Sequence, residues 1–403
     1  EEVHGSNFMI FQTKSIVTSS KNKNIGHLHA DCKGGHCLLL FNAIIFIALF
    51  FINPLYTLII LTISNFFLKI KLYILMFWGF FYSTLIFNRE YNISFIPSGG
   101  DDVIGYAKVI ENLRGLNFID IFNVQIMSGY EPITQIFWWA SVNIGLSVNQ
   151  IVFLQLFAWV VTLILLANYV SKRFSVFILI IGLGLYPEII PLQFHTLYRS
   201  SWAFMFLALS IIYFKNRPIN ILTISAFFSH FITGIVIFFQ LIFSKNIFNR
   251  RIFILLFFSM LIFYTSGMTD GLVRKLIYYS STYTHVFDLS IIKSQLLGIA
   301  TLLLFYYFSS KDLTCKYMFY SALTIFILTF IPFISWIAMR LFVFVAPIAF
   351  MVCAPVRSRY VLYGVASLSL FRYVSNISSE YGIYNAWGTE FIFISFDKIF
   401  GIL

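Results

Sequence analysis

Charged residues are scarce in this chain: Asp, Glu, Lys and Arg make up 11% of it, against 60% hydrophobic residues. There is no Gly-rich phosphate loop, no RNA-binding signature and no helix-turn-helix pattern, which argues against nucleic acid as a partner. There is also no repeat of fixed period, which argues against a solenoid. The four cysteines have no disulfide-framework spacing.

Apolar runs of about 20 residues, the length that crosses a bilayer, follow one another along most of the chain. The net charge of +11 fits the Lys/Arg excess that membrane proteins keep on their cytoplasmic side. The sequence therefore predicts an all-α polytopic integral membrane protein with roughly 11–13 transmembrane helices.

Three parts are expected. Residues 1–37 are polar and are expected to be poorly ordered or surface-bound. Residues 38–375 form the predicted transmembrane domain, with external loops at 88–132 and 267–290, and residues 376–403 are a C-terminal tail. The N-terminal part contains His27, His29, Cys32, His36 and Cys37. Their spacing matches no common zinc module, so a flexible tail is favoured over a metal site.

The Lys and Arg residues of the short loops give the predicted orientation. The segment 218–243 lies between two basic clusters, which predicts a hairpin of two short helices with its turn near His230. A single long helix there would reverse the orientation of everything downstream.

In this topology Arg199, His230, Arg340 and Glu131 fall on the non-cytoplasmic face, each next to a long apolar run. The acidic loop at Asp101 and Asp102 falls there too. A charge at mid-depth in a bilayer costs ~2.5–3.5 kcal/mol or more, so such residues usually have a function.

Each of these residues has a functional and a structural interpretation. Arg199 and Arg340 offer forked donors suited to a diphosphate, or they anchor the chain at lipid headgroups. His230 titrates in a range suited to proton transfer, or it is a satisfied structural residue.

The acidic residues also leave two interpretations open. Glu131 precedes Pro132, and Asp101 and Asp102 precede a predicted amphipathic helix, so all three are candidates for simple helix caps. The functional alternative is a general base or a ligand of sugar hydroxyls. On such a helix Asp102 and Tyr106 share a face.

Carboxylates, arginines, a histidine and tyrosines on one outward face fit a sugar donor carried on a lipid diphosphate. Arginines would neutralise the departing diphosphate, and a carboxylate or histidine would take the proton of the attacking hydroxyl.

Five short motifs occur in a fixed order between roughly residues 70 and 355. They are Asp101/Asp102 to Tyr106, Gly129-Tyr130-Glu131-Pro132, Tyr198-Arg199-Ser200, Phe228-Ser229-His230 and Met339-Arg340. In this order they resemble the EpsG-type branch of the Wzy-like bacterial polysaccharide polymerases of O-antigen and capsule synthesis. The chain departs from that pattern at Ser200, where the family often has Gln, and the doubled aspartate leaves the matching Asp unsettled.

The resemblance implies a C-type glycosyltransferase-like helical fold in the bacterial inner membrane. It implies transfer of a growing glycan from undecaprenyl diphosphate onto the next lipid-linked repeat unit at the periplasmic face. Chain-length regulators and flippases are partners of such systems. Metal independence is implied, although Asp101 and Asp102 leave a divalent metal open.

The site residues are assigned two roles. The base and sugar contacts would come from Asp101, Asp102, Glu131 or His230. Substrate binding would involve Tyr106, Tyr130, His195, Tyr198, Arg199 and Arg340.

Two other functions stay open. A flippase for the same lipid-linked units would need charges at mid-bilayer and inverted repeats, which are not evident. A ligase-type glycosyltransferase on the same fold has the same composition.

Overall fold

The computed structural model describes residues 43–45, 47, 52–88, 102–124, 131–185, 200–214, 217, 219–230, 233–243, 289–309, 312–331, 335–355 and 357–379. The chain divides into two units, Glu1–Phe41 and Asn42–Leu403, and every described residue belongs to the second. The histidines and cysteines of residues 27–37, most of the loop 267–290 and most of the tail 376–403 lie outside the described residues.

The described residues form helices and no strand, as expected for an all-α protein. In chain order the α-helices are α1 (Pro54–Phe67), α2 (Leu72–Asn88), α3 (Asp102–Asn112), α4 (Pro132–Asn143), α5 (Val148–Val170), α6 (Ser175–Gly184), α7 (Ser201–Tyr213), α8 (Ile221–Ser229), α9 (Gly234–Phe243), α10 (Leu289–Phe308), α11 (Leu313–Leu328), α12 (Ser335–Cys353) and α13 (Arg359–Ser378). A 3-10 helix, Asp120–Asn123, lies between α3 and α4.

Short polar residues determine where several of these helices begin. Asn53 accepts a hydrogen bond from the Leu55 amide, and Pro54 occupies the first turn of α1. Ser147 and Gln150 form a reciprocal capping box at the start of α5. Such caps satisfy backbone amides that have no partner inside the helix.

Helix α5 lies at the centre of the bundle and packs against α2, α6, α7 and α12. Of the described helices, it alone has the length and hydropathy to cross a membrane; seven shorter apolar helices of 10–17 residues accompany it. At a rise of 1.5 Å per residue its length is about 34 Å.

Several basic turns share one end of the bundle. The Asn65 side chain donates a hydrogen bond to the Arg173 carbonyl at 3.0 Å, which joins the end of α1 to the α5–α6 turn. The Tyr363 ring, in the first turn of α13, contacts Phe66 and Phe174. These contacts bring Lys69, Lys71, Lys172, Arg173, Arg357 and Arg359 to what we call the basic end, and each of these six side chains is exposed.

Helices α5, α7 and α12 run in the same direction, toward the basic end. Gln155 of α5 bonds Ser201 of α7, and one turn further Phe344 of α12 contacts both Trp159 and Phe204. The start of α11 and the end of α12 meet where Cys315 and Cys353 lie with their sulfurs 3.2 Å apart.

The segment 218–243 is broken into α8 and α9, as expected, and is not one long helix. Helix α8 packs mainly against α7 and α4, whereas α9 packs mainly against α11.

Candidate functional site

Glu131 stands at the junction between the loop after α3 and helix α4. Pro132 occupies the first turn of α4, and the Glu131 carbonyl accepts from the Gln135 amide at 2.9 Å. Within the described residues, the Glu131 side chain forms no capping hydrogen bond with its own helix. The simple cap considered from the sequence is therefore not the role of this carboxylate.

The Glu131 carboxylate instead contacts His230, 99 positions along the chain. His230 Nδ1 lies 2.8 Å from Glu131 Oε1. The glutamate side chain is 4% exposed and the imidazole 18%. Two of the candidate residues predicted from sequence thus form one pair, in which the carboxylate is buried and the imidazole is partly buried.

The backbone around His230 explains how the imidazole is held. Its amide donates to the Ala226 carbonyl at 3.0 Å and closes α8. Its own carbonyl accepts from both the amide and the hydroxyl of Thr233, which begins the next helical segment. His230 therefore ends one helix, in extended conformation, at the break before the next.

Both helix dipoles favour the charged forms of this pair. Glu131 lies at the N-terminus of α4, where partial positive charge stabilises a carboxylate. His230 lies at the C-terminus of α8, where partial negative charge stabilises an imidazolium. A carboxylate can only accept a hydrogen bond, so Nδ1 carries the shared hydrogen. In the neutral ring Nε2 is then the basic nitrogen.

Neighbouring hydrogen bonds fix α4 in place beside this pair. The Thr134 hydroxyl points to the Ser229 carbonyl at 3.5 Å, which ties α4 to the end of α8. The Gln135 amide donates to the carbonyls of Ile121 and Val124 in and after the 3-10 helix. The carboxylate is thereby anchored from two sides.

A second buried chain of hydrogen bonds connects α4, α5 and α7. The Trp138 indole donates to Gln155 Oε1 at 3.2 Å, and Gln155 Nε2 donates to the Ser201 hydroxyl at 2.8 Å. All three residues are buried. The sequence analysis missed Gln155, Gln135 and Ser201, although a glutamine inside an otherwise apolar run was a usable signal.

The register of α7 and α8 brings Ser200 to the level of His230. The two helices pack closely, and Asn220 at the start of α8 donates to the Ser210 hydroxyl at 2.7 Å. Measured along the helix axes, Ser200 lies about 15 Å from Ser210, and His230 lies about 15 Å from Asn220. Ser200 and His230 therefore reach the same level of the bundle. Ser200 is buried and directly follows Arg199 in the chain.

The backbone of Arg340 reaches the same level from α12. Phe344 packs against Phe204 with ring centroids 4.5 Å apart. Arg340 precedes Phe344 by one helical turn, as Ser200 precedes Phe204, and the two helices run in the same direction. The backbone of Arg340 therefore lies at the level of the start of α7, away from the basic end.

Tyr106 occupies the face of α3 that packs on α4. The helix begins at Asp102, as predicted, and Tyr106 is buried with its ring 5.6 Å from that of Trp138. This is a packing contact, and the role of Tyr106 as a sugar ligand stays a prediction. Asp101, Tyr130, His195, Tyr198 and Arg199 lie outside the described residues, as do the side chains of Asp102 and Arg340.

The part of the chain that the structure describes contains no cluster of three or more His, Cys, Asp or Glu side chains suited to a metal ion. Comparison of the chain with protein-family models, with characterised proteins and with solved structures gives no match.

Proposed function

We propose that this chain is a polytopic membrane glycosyltransferase that polymerises lipid-linked oligosaccharide repeat units. The observation that carries the proposal is the Glu131–His230 pair, buried at the ends of two short helices. Burying such a pair costs free energy that an apolar contact would not cost. A function at this position gives a reason for keeping it.

The membrane location is supported by α5 and by the distribution of cations. Helix α5 has a mean hydropathy of 2.3 over its most apolar stretch and is long enough for a bilayer. Exposed Lys and Arg residues gather at the basic end, as the positive-inside rule expects of a cytoplasmic face. The Glu131–His230 pair would then lie toward the opposite, periplasmic side of a bacterial inner membrane.

In the proposed reaction His230 acts as the general base. Its Nε2 takes the proton from a sugar hydroxyl of the acceptor repeat unit, while Glu131 orients the ring and stabilises the imidazolium. The hydroxyl oxygen forms a bond to the anomeric carbon of the donor glycan. The bond between that carbon and the lipid diphosphate breaks, and the bonding pair leaves with the diphosphate.

The departing diphosphate needs positive charge, and Arg199 and Arg340 are the proposed source. Arg199 precedes Ser200, which lies at the level of His230, and the Arg340 backbone reaches that level on α12. Asp101, Asp102, Tyr106, Tyr130, His195 and Tyr198 remain candidates for contacts to the sugars. The donor would be an undecaprenyl-diphosphate-linked glycan, and no step requires a cofactor.

Purified protein in lipid vesicles, supplied with a lipid-linked repeat unit, tests the proposal. A ladder of products differing by one repeat unit is the expected result. Transfer of a single unit to a different acceptor would indicate a ligase instead. In cells, Arg199→Ala should abolish chain extension while single repeat units are still made, and a normal ladder in this variant would remove Arg199 from the mechanism.

A flippase for the same lipid-linked units is the second candidate, and the break between α8 and α9 favours it. Discontinuous helices with polar groups at the break are typical of transporter binding sites. Vesicles loaded with the lipid-linked unit on one side decide between the two. Movement of the unit across the bilayer without glycosidic bond formation would support the flippase.

A further inference from the structure

Two turns that connect helices at the end opposite the basic end are bonded to each other. The Asn143 side chain accepts from the Gly115 amide at 2.8 Å and donates to the Leu113 carbonyl at 3.3 Å. Arg114 donates to the Val142 carbonyl at 3.3 Å. The turn after α3 and the turn after α4 are therefore one rigid unit, and Gly115 and Gly145 supply their left-handed backbone conformations.

This unit exposes large apolar side chains. Ile119 is 78% exposed and Ile144 is 76% exposed, and Phe118 and Phe122 are also exposed. The aromatic rings pack on one another and on Trp139, whose indole donates to the Leu116 carbonyl at 2.8 Å. We call Phe118, Ile119, Phe122, Trp139 and Ile144 the apolar platform. Several large exposed apolar side chains in one such unit are typical of an interaction surface.

The position of the platform identifies what it contacts. Ile144 lies four residues before Val148, the first residue of α5, and α5 ends next to Lys172 and Arg173 at the basic end. If the basic turns lie at one headgroup layer, the length of α5 brings the platform to the other. Exposed polar residues flank the platform residues in the chain, among them Glu111, Asn112, Asn117, Asn123 and Asn143.

We propose that the apolar platform inserts into the headgroup and upper acyl region of the non-cytoplasmic leaflet and holds α3 and α4 at the membrane surface. The proposal rests on the membrane location given under the proposed function, but not on the chemistry. An amphipathic surface with Trp and Phe on its apolar side and polar residues around it is suited to that depth. The platform would thus fix the depth at which α4 carries Glu131.

Spin labels test the proposal directly. Cys32→Ser and Cys37→Ser remove the cysteines outside the described residues. Cys315 and Cys353 are buried and are kept, so the double variant measures any unwanted labelling of these two cysteines. Single cysteines are then introduced as Ile119→Cys and Ile144→Cys, with Glu111→Cys as the matched control on the polar side. Each protein is labelled with a nitroxide and reconstituted in vesicles of phosphatidylethanolamine and phosphatidylglycerol.

At Ile119→Cys and Ile144→Cys, collisions with oxygen, which dissolves in lipid, should exceed collisions with a water-soluble nickel chelate. The order should reverse at Glu111→Cys. Labels at positions 119 and 144 that are more accessible to nickel than to oxygen would overturn the proposal. Dipolar broadening between labels of neighbouring chains would also overturn it, because a second copy would then cover the platform.

The accessibility measurement needs no substrate, so its result is independent of the polymerase assay. If the protein makes no polymer but both labels lie in lipid, the platform proposal stands and the polymerase proposal fails. If the protein makes polymer but both labels lie in water, only the platform proposal fails.

Discussion

The cations of the basic end and the polar groups around Glu131 and Gln155 are held in opposite ways. At the basic end, Lys69, Arg173 and Arg359 lie in turns and are exposed, so water solvates their charges at little cost. By contrast, Glu131 and Gln155 are almost entirely buried and depend on specific partners. Solvated cations can orient a protein without any defined geometry, whereas buried polar groups need one.

This difference predicts where substitutions matter. Exchanges at the basic end should be tolerated singly, because the six cations that define it are exposed to solvent. Exchanges at the Glu131–His230 pair and its neighbours should be costly, because they remove hydrogen bonds between buried polar groups.

The largest expected effect is on His230. His230→Ala removes the proposed base, and we expect the rate of glycan transfer to fall by about 10²–10⁴-fold. Glu131→Gln should reduce it as well, because the amide no longer stabilises the imidazolium. Radiolabelled product ladders from reconstituted protein provide the measurement.

Ser229→Ala is the matched control for His230, since it keeps the Ser229 carbonyl that faces Thr134 and loses only the hydroxyl bond to Ser225. It should retain near-normal transfer. Folded His230→Ala protein with transfer rates close to those of the unsubstituted chain would contradict the assignment of His230 as base.

The next effect is on Gln155. Gln155→Leu deprives the Trp138 indole and the Ser201 hydroxyl of a shared partner, so we expect a loss of about 1–3 kcal/mol in the free energy of unfolding. Transfer should also slow, because the start of α7 is released. Thermal unfolding in detergent measures the first effect, and the vesicle assay measures the second.

Ser210→Ala gives the comparison at the opposite end of α7, where it removes one hydrogen bond to Asn220. It should cost less, about 0.5–1.5 kcal/mol, and leave transfer unchanged. Equal losses of activity in both variants would mean that the two ends of α7 do not differ in function.

A purely steric effect is expected at Gly184. A Cβ at this position would lie 2.6 Å from the Ser369 carbonyl oxygen of α13, and backbone atoms cannot move aside cheaply. Gly184→Ala should destabilise the protein by about 1–3 kcal/mol through displacement of α6 from α13. Gly364→Ala is the control, since a Cβ there meets no atom within 4 Å. A melting temperature unchanged by Gly184→Ala would show that the two helices are not in close contact.

The smallest effect is expected at Glu111. Arg114 holds this carboxylate by two hydrogen bonds and lowers the pKa of Glu111 below its ordinary value. Any stabilisation is therefore present above the ordinary pKa and is lost as the pH falls through the lowered one. Both side chains are exposed, so solvent screens the pair and Glu111→Gln should leave the melting temperature unchanged at neutral pH. A clear decrease would mean that Glu111 has a further stabilising partner.

Much of the local structure could be predicted from the sequence. The start of α3 at Asp102, the helix start at Pro132 and the break at His230 all follow from caps, prolines and apolar runs. These features depend on a few neighbouring residues. The partners on which α8 and α9 pack could not be predicted, because they depend on which larger helices lie beside them.

The sequence by itself determined an all-helical chain with few charges, basic turns and polar residues at the ends of apolar helices, since composition and local hydrogen bonding suffice for these. Only the tertiary structure decided that Glu131 bonds His230 rather than capping its own helix, and that Gln155 joins Trp138 to Ser201. The partners in these contacts are far apart in the chain. Their meeting depends on helix packing and register, which no local pattern specifies.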